Sequence, residues 1–332
     1  MKIGIVGPGF IVENFIESTN KIKEIDCIAI CSRKQSNEKA EKLMNKYHIK
    51  KHYFDFDDMI KDKEIDFIYI ASPNSLHYTY ALKALESGKN VISEKPFATT
   101  VEETKKLAQT AKKNNLFIFE AITTIHLPNY KKIKESINKL GNLKMVQCNF
   151  SQYSSRYDDF LKGNFPNVFN PKFSGGSLYD INVYNIHFVV GLFGKPKETY
   201  YYANISNNID TSGTAILIYD NFICECCGAK DSQSPSFGII QGEKGYIKVD
   251  DPVSKCSKVE IGLLKETPIQ YNEQETDDRM VYELKEFLNI YINKNYSAAE
   301  KLFNHTMDVM NVLVDLRKFA NIKFECDNTI IK

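Results

Sequence analysis

The stretch KIGIVGPGFIV, residues 2–12, decides the fold. Its first five residues form a short β-branched apolar run that stops at Gly7, as a strand buried on both faces does. Beyond the second glycine, Ile11, Phe15 and Ile16 recur at helical spacing. A strand that passes into a helix across two glycines opens a βαβ unit, and the chain goes on to repeat the pattern.

Residues 25–31, 51–54, 66–71, 90–93 and 116–120 read as further short strands. Between them lie helical stretches at 36–47, where Ala40, Leu43 and Met44 share a stripe, and at 78–87. Another starts on the capping box Thr100-Val-Glu-Glu103 and runs to about residue 113. Strands alternating with helices predict right-handed crossovers and a doubly wound parallel sheet over residues 1–121, an α/β Rossmann domain.

After residue 121 the pattern changes. One amphipathic helix is expected at 129–140, with Ile133, Ile137 and Leu140 inward. Residues 144–259 mostly alternate, with tight turns at Asp220-Asn221 and at Gly242–Gly245, and a single helix at 177–192 interrupts them. Met280, Leu284, Phe287, Leu288 and Tyr291 stripe one late helix, and Ser297-Ala-Ala-Glu300 reads as the capping box of the last. Residues 122–332 are therefore expected to form an α+β substrate-binding and oligomerisation domain on one large, mostly antiparallel sheet.

Composition narrows the function classes. Lys plus Arg is 43 against 42 for Asp plus Glu, a net charge of +1, which offers no footprint for nucleic acid or an anionic membrane surface. No apolar run reaches the roughly 18 residues of a membrane span. The chain enters its first strand at Lys2, and the eight cysteines follow no framework spacing, so a reducing cytoplasm is the expected compartment. No metal site is expected. Cys224 and Cys226 alternate along a strand with Cys227 facing the other way, His48 and His52 run into a loop, and the acids at 55–58 suit a helix start.

The segment from Gly7 to Val12 reads G-x-G-x-x-V. Gly7 permits a tight turn, and Gly9 lets backbone approach a pyrophosphate seated on the helix N-terminus, with Pro8, Phe10 and Ile11 completing the loop. Val12, in place of the fingerprint's small residue, implies a looser contact between helix and strand. Strand two ends in Ser32-Arg33-Lys34 rather than in an acid. A carboxylate there would bind a ribose 2′-hydroxyl and repel a 2′-phosphate, whereas Arg33 can clamp a 2′-phosphate and Ser32 can donate to it. NADP is the expected cofactor, with NAD as the alternative.

Two more segments follow strand ends: ASPNSLH at 71–77 and SEKP at 93–96. A third, GGSLYDINVY at 175–184, opens a helix. Together with the glycine loop these resemble the glucose-fructose oxidoreductase / inositol dehydrogenase / MocA family over essentially the whole chain. The layout is most similar to its dimeric dihydrodiol dehydrogenase branch, which has Tyr rather than His at the position of Tyr184. The resemblance implies an NAD(P)-dependent dehydrogenase or reductase acting on CH–OH groups of a sugar-like or cyclic polyol substrate. It also implies a cis Lys95–Pro96 bond, a catalytic set of Lys95, Asp180 and Tyr184, and a homodimer or tetramer formed through the second-domain sheet.

The residues support several of these expectations on their own terms. Lys95 stands at the carboxyl end of a parallel strand, where open α/β sheets bind ligands. Asp180 and Tyr184 are four apart on a helix and share a face; His187 falls on the same stripe and is read as a core histidine. Ser72, Pro73, Asn74, His77 and Glu94 are expected to line the cofactor. Two departures from the family pattern, Ile125 for its usual Arg and Asn182 for a Gly, are expected to fall near the substrate. Two other activities occur among similar proteins: cofactor-assisted glycoside cleavage without net redox, and dinucleotide sensing without turnover.

Overall fold

Six parallel strands and eight mostly antiparallel ones form two separate sheets, each in its own compact unit, in a computed structural model that describes residues 1–328. The first unit opens β1 (Lys2–Val6), α1 (Phe10–Thr19), β2 (Asp26–Cys31), α2 (Asn37–Tyr47), β3 (Lys51–Tyr53) and α3 (Phe56–Met59). It continues with β4 (Phe67–Ile70), α4 (His77–Glu86), β5 (Asn90–Glu94), α5 (Val101–Lys113) and β6 (Ile118–Ala121). The order β3-β2-β1-β4-β5-β6 reverses between β1 and β4, and a crevice opens at such a switch point. Ile3, Ile5, Phe67 and Tyr69 are wholly buried, and Phe15 of α1 stacks on Tyr69 with ring centroids 3.5 Å apart. The Thr100 box caps α5 as expected.

The second unit begins with α6 (Pro128–Ser136), β7 (Leu143–Ser151) and α7 (Tyr157–Leu161). A π-helical turn (Leu178–Asn182) leads into α8 (Val183–Phe193). Seven strands follow: β8 (Glu198–Ser206), β9 (Ile209–Ile218), β10 (Ile223–Ala229), β11 (Phe237–Gly242), β12 (Gly245–Val249), β13 (Val259–Leu263) and β14 (Ile269–Tyr271). They pair in the order β14-β13-β12-β11-β7-β10-β9-β8. Only β7 and β10 run parallel to each other. One sheet face is closed: Val146, Cys148, Tyr201, Ala215, Leu217, Cys224, Cys226 and Ile240 are buried on it.

The chain then returns to the first unit. α9 (Met280–Ile292) and the start of α10 (Tyr296–Phe319) belong to it, through Met307. Phe287 stacks on Phe119 at 4.4 Å and Tyr291 meets Phe67 edge-on at 4.9 Å. The chain divides between residues 121 and 122, but residues 280–307 of the expected second domain belong to the first unit, because a parallel sheet must cover both faces and the α9 stripe supplies part of that cover. Residues 329–332 of the expected second domain lie outside the described residues. The cap of α10 also differs from expectation. The helix starts at Tyr296, so Ser297 is already inside it, and Asn295 accepts a 3.1 Å hydrogen bond from the amide of Ala298.

Among the described residues no helix is long and apolar enough to cross a membrane, and no cluster of His, Cys, Asp and Glu is disposed to hold a metal. None of the eight cysteines forms a disulfide among the described residues.

Candidate active site

At the carboxyl edge of the parallel sheet, β1 ends on Gly7 with φ at +91°, and a Cβ there would stand 3.0 Å from the carbonyl oxygen of Ala71. The Gly7 amide donates to the Cys31 carbonyl at 2.9 Å, so the ends of β1, β2 and β4 are drawn together. Gly9 caps α1 without a side-chain hydrogen bond; the Val12 amide turns back to the Gly9 carbonyl at 3.1 Å, the helix start can receive an outside acceptor, and Phe10 is 87% exposed beside it. A cradle that any side chain at position 7 would fill, opening on a helix N-terminus, fits the phosphates of a dinucleotide. Val12, expected to loosen the contact of α1 with the sheet, is fully buried in the core.

After β2, Ser32 is buried while Arg33 and Lys34 are exposed. The Ser32 hydroxyl shares a 2.9 Å hydrogen bond with Nε2 of His52, a neighbour on β3 that the sequence reading weighed only for a metal. Ser72, Pro73 and Asn74 are half-buried in the loop after β4.

His77 has a different place from the expected cofactor contact. It is buried, with Nδ1 2.9 Å from the Pro96 carbonyl and Nε2 2.9 Å from the Ser72 carbonyl, so the single N–H of the neutral ring donates to one of the two loops it lies between. Burial pushes its pKa below the ordinary histidine value, against the pull of those carbonyls. Glu94 likewise turns into the protein. It accepts a 2.6 Å bond from the Tyr69 hydroxyl, and burial pushes its carboxyl above the ordinary range. Lys95 is half-buried and its bond to Pro96 is cis. The turn is held from beyond by Glu120, a residue that sequence reasoning missed. One of its carboxylate oxygens accepts the Phe97 amide at 3.0 Å and the other the Thr306 hydroxyl at 2.8 Å.

In the second unit, the glycine pair before the π-helical turn is demanded by neighbours. A Cβ at Gly175 would lie 2.7 Å from the Asn167 carbonyl oxygen, and Gly176, at φ +108°, faces the carboxylate of Asp210. Asp210 is buried; it accepts the Leu178 amide at 2.6 Å and the Tyr201 hydroxyl at 2.8 Å, and burial pushes its pKa up. Asn182, expected near substrate, is wholly buried. Its amide donates to the Cys226 carbonyl at 2.9 Å, and Asn185 donates both to Asn182 and to the Cys227 carbonyl. These bonds dock the helix on β10. Ile125 is half-buried in a short turn before α6.

Along residues 174–190 every side chain is buried except those of Asp180 and Tyr184. Asp180 forms an ion pair with Lys230, and the Tyr184 ring lies 6.0 Å from that of Phe150. His187 is fully buried.

Residues 1–121 match the family model described as an oxidoreductase family with an NAD-binding Rossmann fold, and residues 130–248 match the GFO/IDH/MocA C-terminal domain. The chain belongs to the GFO/IDH/MocA oxidoreductase family. Within that family it is 34% identical over 334 residues to scyllo-inositol 2-dehydrogenase (NADP(+)) IolU of Bacillus subtilis, covering 98% of this chain and 99% of the relative. It is 27% identical to trans-1,2-dihydrobenzene-1,2-diol dehydrogenase of Xenopus tropicalis over 75% of this chain and 74% of that one. Among solved structures, the 3-ketoreductase KijD10 of Actinomadura kijaniata, in complex with NADP and TDP-benzene, superposes with a TM-score of 0.83 at 16% identity over 96% of this chain and 97% of its own. A levoglucosan dehydrogenase in complex with NADH and levoglucosan gives 0.81 at 16%, over 97% of each chain. The last two likenesses establish the fold.

The family's sequence marks thus fall on built features: the glycine cradle, the cis Lys95–Pro96 turn and the Asp180/Tyr184 helix face. The supports beneath them, Glu120, Asp210 and Lys230, carry no local motif. They are single acids and a lysine brought in from more than twenty residues away; Glu120 and Asp210 each interrupt an otherwise apolar or small-residue strand, and Lys230 directly follows one.

Proposed function

We propose that the chain is an NADP-preferring dehydrogenase or reductase working on a carbinol or carbonyl carbon of a sugar-like or cyclic polyol substrate. One observation supports this above the others: a helix start that is buried throughout except for a carboxylate and a phenol, Asp180 and Tyr184. The 34% identical Bacillus subtilis relative, a scyllo-inositol 2-dehydrogenase (NADP(+)), points the same way.

In this reading Gly7, Pro8, Gly9, Phe10 and Ile11 cradle the pyrophosphate, Ser32 and Arg33 take the 2′-phosphate, and Ser72, Pro73 and Asn74 line the rest of the cofactor. When bound, the nicotinamide accepts or returns the hydride. Tyr184 takes the hydroxyl proton as the alcohol is oxidised and gives it back on reduction. A phenol with a pKa of about 10 is a weak base at neutral pH; Lys95, at the carboxyl end of β5, is the second proton-transfer group we assign. Asp180 orients the proton-transfer groups. The test is turnover of a panel of inositols, pentoses and hexoses with NADP and with NAD, followed by the absorbance of reduced nicotinamide. NADP-dependent oxidation of a polyol is expected. Cleavage products without net reduced cofactor, or tight cofactor binding with no turnover of any sugar, would overturn the reading.

We further infer a homodimer, or a tetramer built from it, through the open face of the second sheet. That face carries Met145, Tyr202 and Ile223 at 41%, 65% and 50% exposure, apolar side chains that a second copy of the sheet would cover. Light scattering that gave a monomer at micromolar concentration would refute it. A reducing cytoplasm suits eight cysteines of which none forms a disulfide among the described residues.

A further inference from the structure

Lys230 directly follows β10, and its side chain is only 4% exposed. Its backbone is fixed on both sides: its amide donates to the Thr211 carbonyl and its carbonyl accepts from Ser154, both at 2.9 Å. The ammonium pairs with Oδ2 of Asp180 and lies 5.0 Å over the ring of Phe169. The neighbouring acid, Asp231, accepts from the hydroxyls of Thr211 and Ser212 at 2.7 and 2.8 Å.

Burying an ammonium costs several kcal/mol of hydration, and a pair of charges placed only to hold a fold together is commonly matched by apolar side chains of the same volume. This cation is buried against the carboxylate that, with Tyr184, breaks the surface of an otherwise buried helix start. The pair also joins two elements whose relative position is independently fixed: Asn182 and Asn185 already dock that helix on the carbonyls of β10. The fold therefore has its own clamp at this point, and the ion pair acts on the orientation of Asp180.

We propose that Lys230 is a positioning residue of the active site, holding the Asp180 carboxylate fixed in rotation one helical turn from Tyr184. Lys230 then works through Asp180 and contacts neither substrate nor cofactor. The proposal rests on the reading of Asp180 as a residue of the reaction.

The test is a double-mutant cycle on the full chain with Lys230→Met, Asp180→Asn and both together, using NADP-dependent turnover of the best polyol in the panel. Lys230→Met is expected to lower kcat by about tenfold to a hundredfold, the cost typical of a misplaced catalytic group. KM for substrate and for NADP should stay within about threefold, and the double variant should be no slower than Asp180→Asn alone. In Lys230→Ala, added ethylammonium should restore part of kcat where potassium chloride of equal ionic strength does not. Unchanged kcat in Lys230→Met, effects that multiply in the double variant, or an absence of amine rescue would overturn the proposal. If Lys230→Met does not fold, Lys230→Gln is read the same way, and failure of both to fold makes the pair a core element and overturns it too. A wild-type chain inactive on the whole panel overturns the functional reading and this proposal with it. An active wild type with an unchanged Lys230→Met overturns this proposal alone.

Discussion

The carboxylate of Asp210 occupies the space that a side chain on Gly176 would need, and the same carboxylate accepts the Leu178 amide two residues further on. The left-handed glycine and the buried acid therefore form one unit that launches the helix carrying Asp180 and Tyr184. Gly176→Ala has to displace Asp210 and strain φ at once, and should destabilise the chain by about 3 kcal/mol or more. Thermal unfolding measures this; a variant within a degree of wild type would mean that the turn rearranges freely.

Asn182 stands where the family pattern has glycine, and its buried amide docks the helix on β10. Asn182→Ala leaves the Cys226 carbonyl without its donor and should cost about 1–3 kcal/mol in stability. Substrate KM should be unchanged, because the side chain faces the sheet. A change in KM without a change in Tm would return Asn182 to the substrate pocket.

His77 supplies a pH dependence whose sign follows from burial. Its folded pKa lies below the ordinary 6.5, so the unfolded chain takes up the proton more readily. The stability it contributes is complete above pH 6.5 and is lost as pH falls through that value towards the lower folded one. Between about pH 7.5 and 5.5, wild type should lose stability more steeply than His77→Gln, by up to about 1.4 kcal/mol per pH unit. Parallel pH–stability curves for the two proteins would exclude the neutral buried imidazole.

Lys95→Ala and Tyr184→Phe should each lower kcat by about a hundredfold to ten-thousandfold, the range of a lost proton-transfer group, while NADPH affinity by fluorescence titration stays close to wild type. Full turnover in either variant removes that residue from the mechanism.

Arg33 is exposed at the end of β2 and Ser32 is buried beside His52. Arg33→Ala should raise KM for NADP about tenfold, the loss of one charge-assisted contact, and leave KM for NAD unchanged. Equal effects on the two cofactors would show that Arg33 does not read the 2′-phosphate.

The strands and helices of the first unit were legible because a parallel sheet writes itself as unbroken apolar runs separated by helical stripes, and the Thr100 capping box is a local pattern with a local cause. The assignment of α9 was not legible. Its stripe announces a buried face but not which sheet covers it, and Phe287 finds Phe119 across 168 residues of chain. Site residues divide the same way. Asp180 and Tyr184 sit in one motif four residues apart. Asp210 reaches that motif from β9 and Lys230 from the residue after β10, by pairings that register alone decides. His77 and Glu94 stood in the right loops, but sequence could not reveal that the one lies between the Pro96 and Ser72 carbonyls and the other turns towards Tyr69.

The late return of the chain to its first sheet bears on biosynthesis. Phe117 and Phe119 are translated well before Phe287, Tyr291 and Tyr296, whose rings stack on or meet them. At roughly 5–20 residues per second a ribosome leaves that aromatic surface uncovered for about ten to thirty seconds, while the whole intervening sheet is made. Over that interval the nascent chain presents the kind of uncovered apolar surface that makes a folding intermediate prone to aggregate.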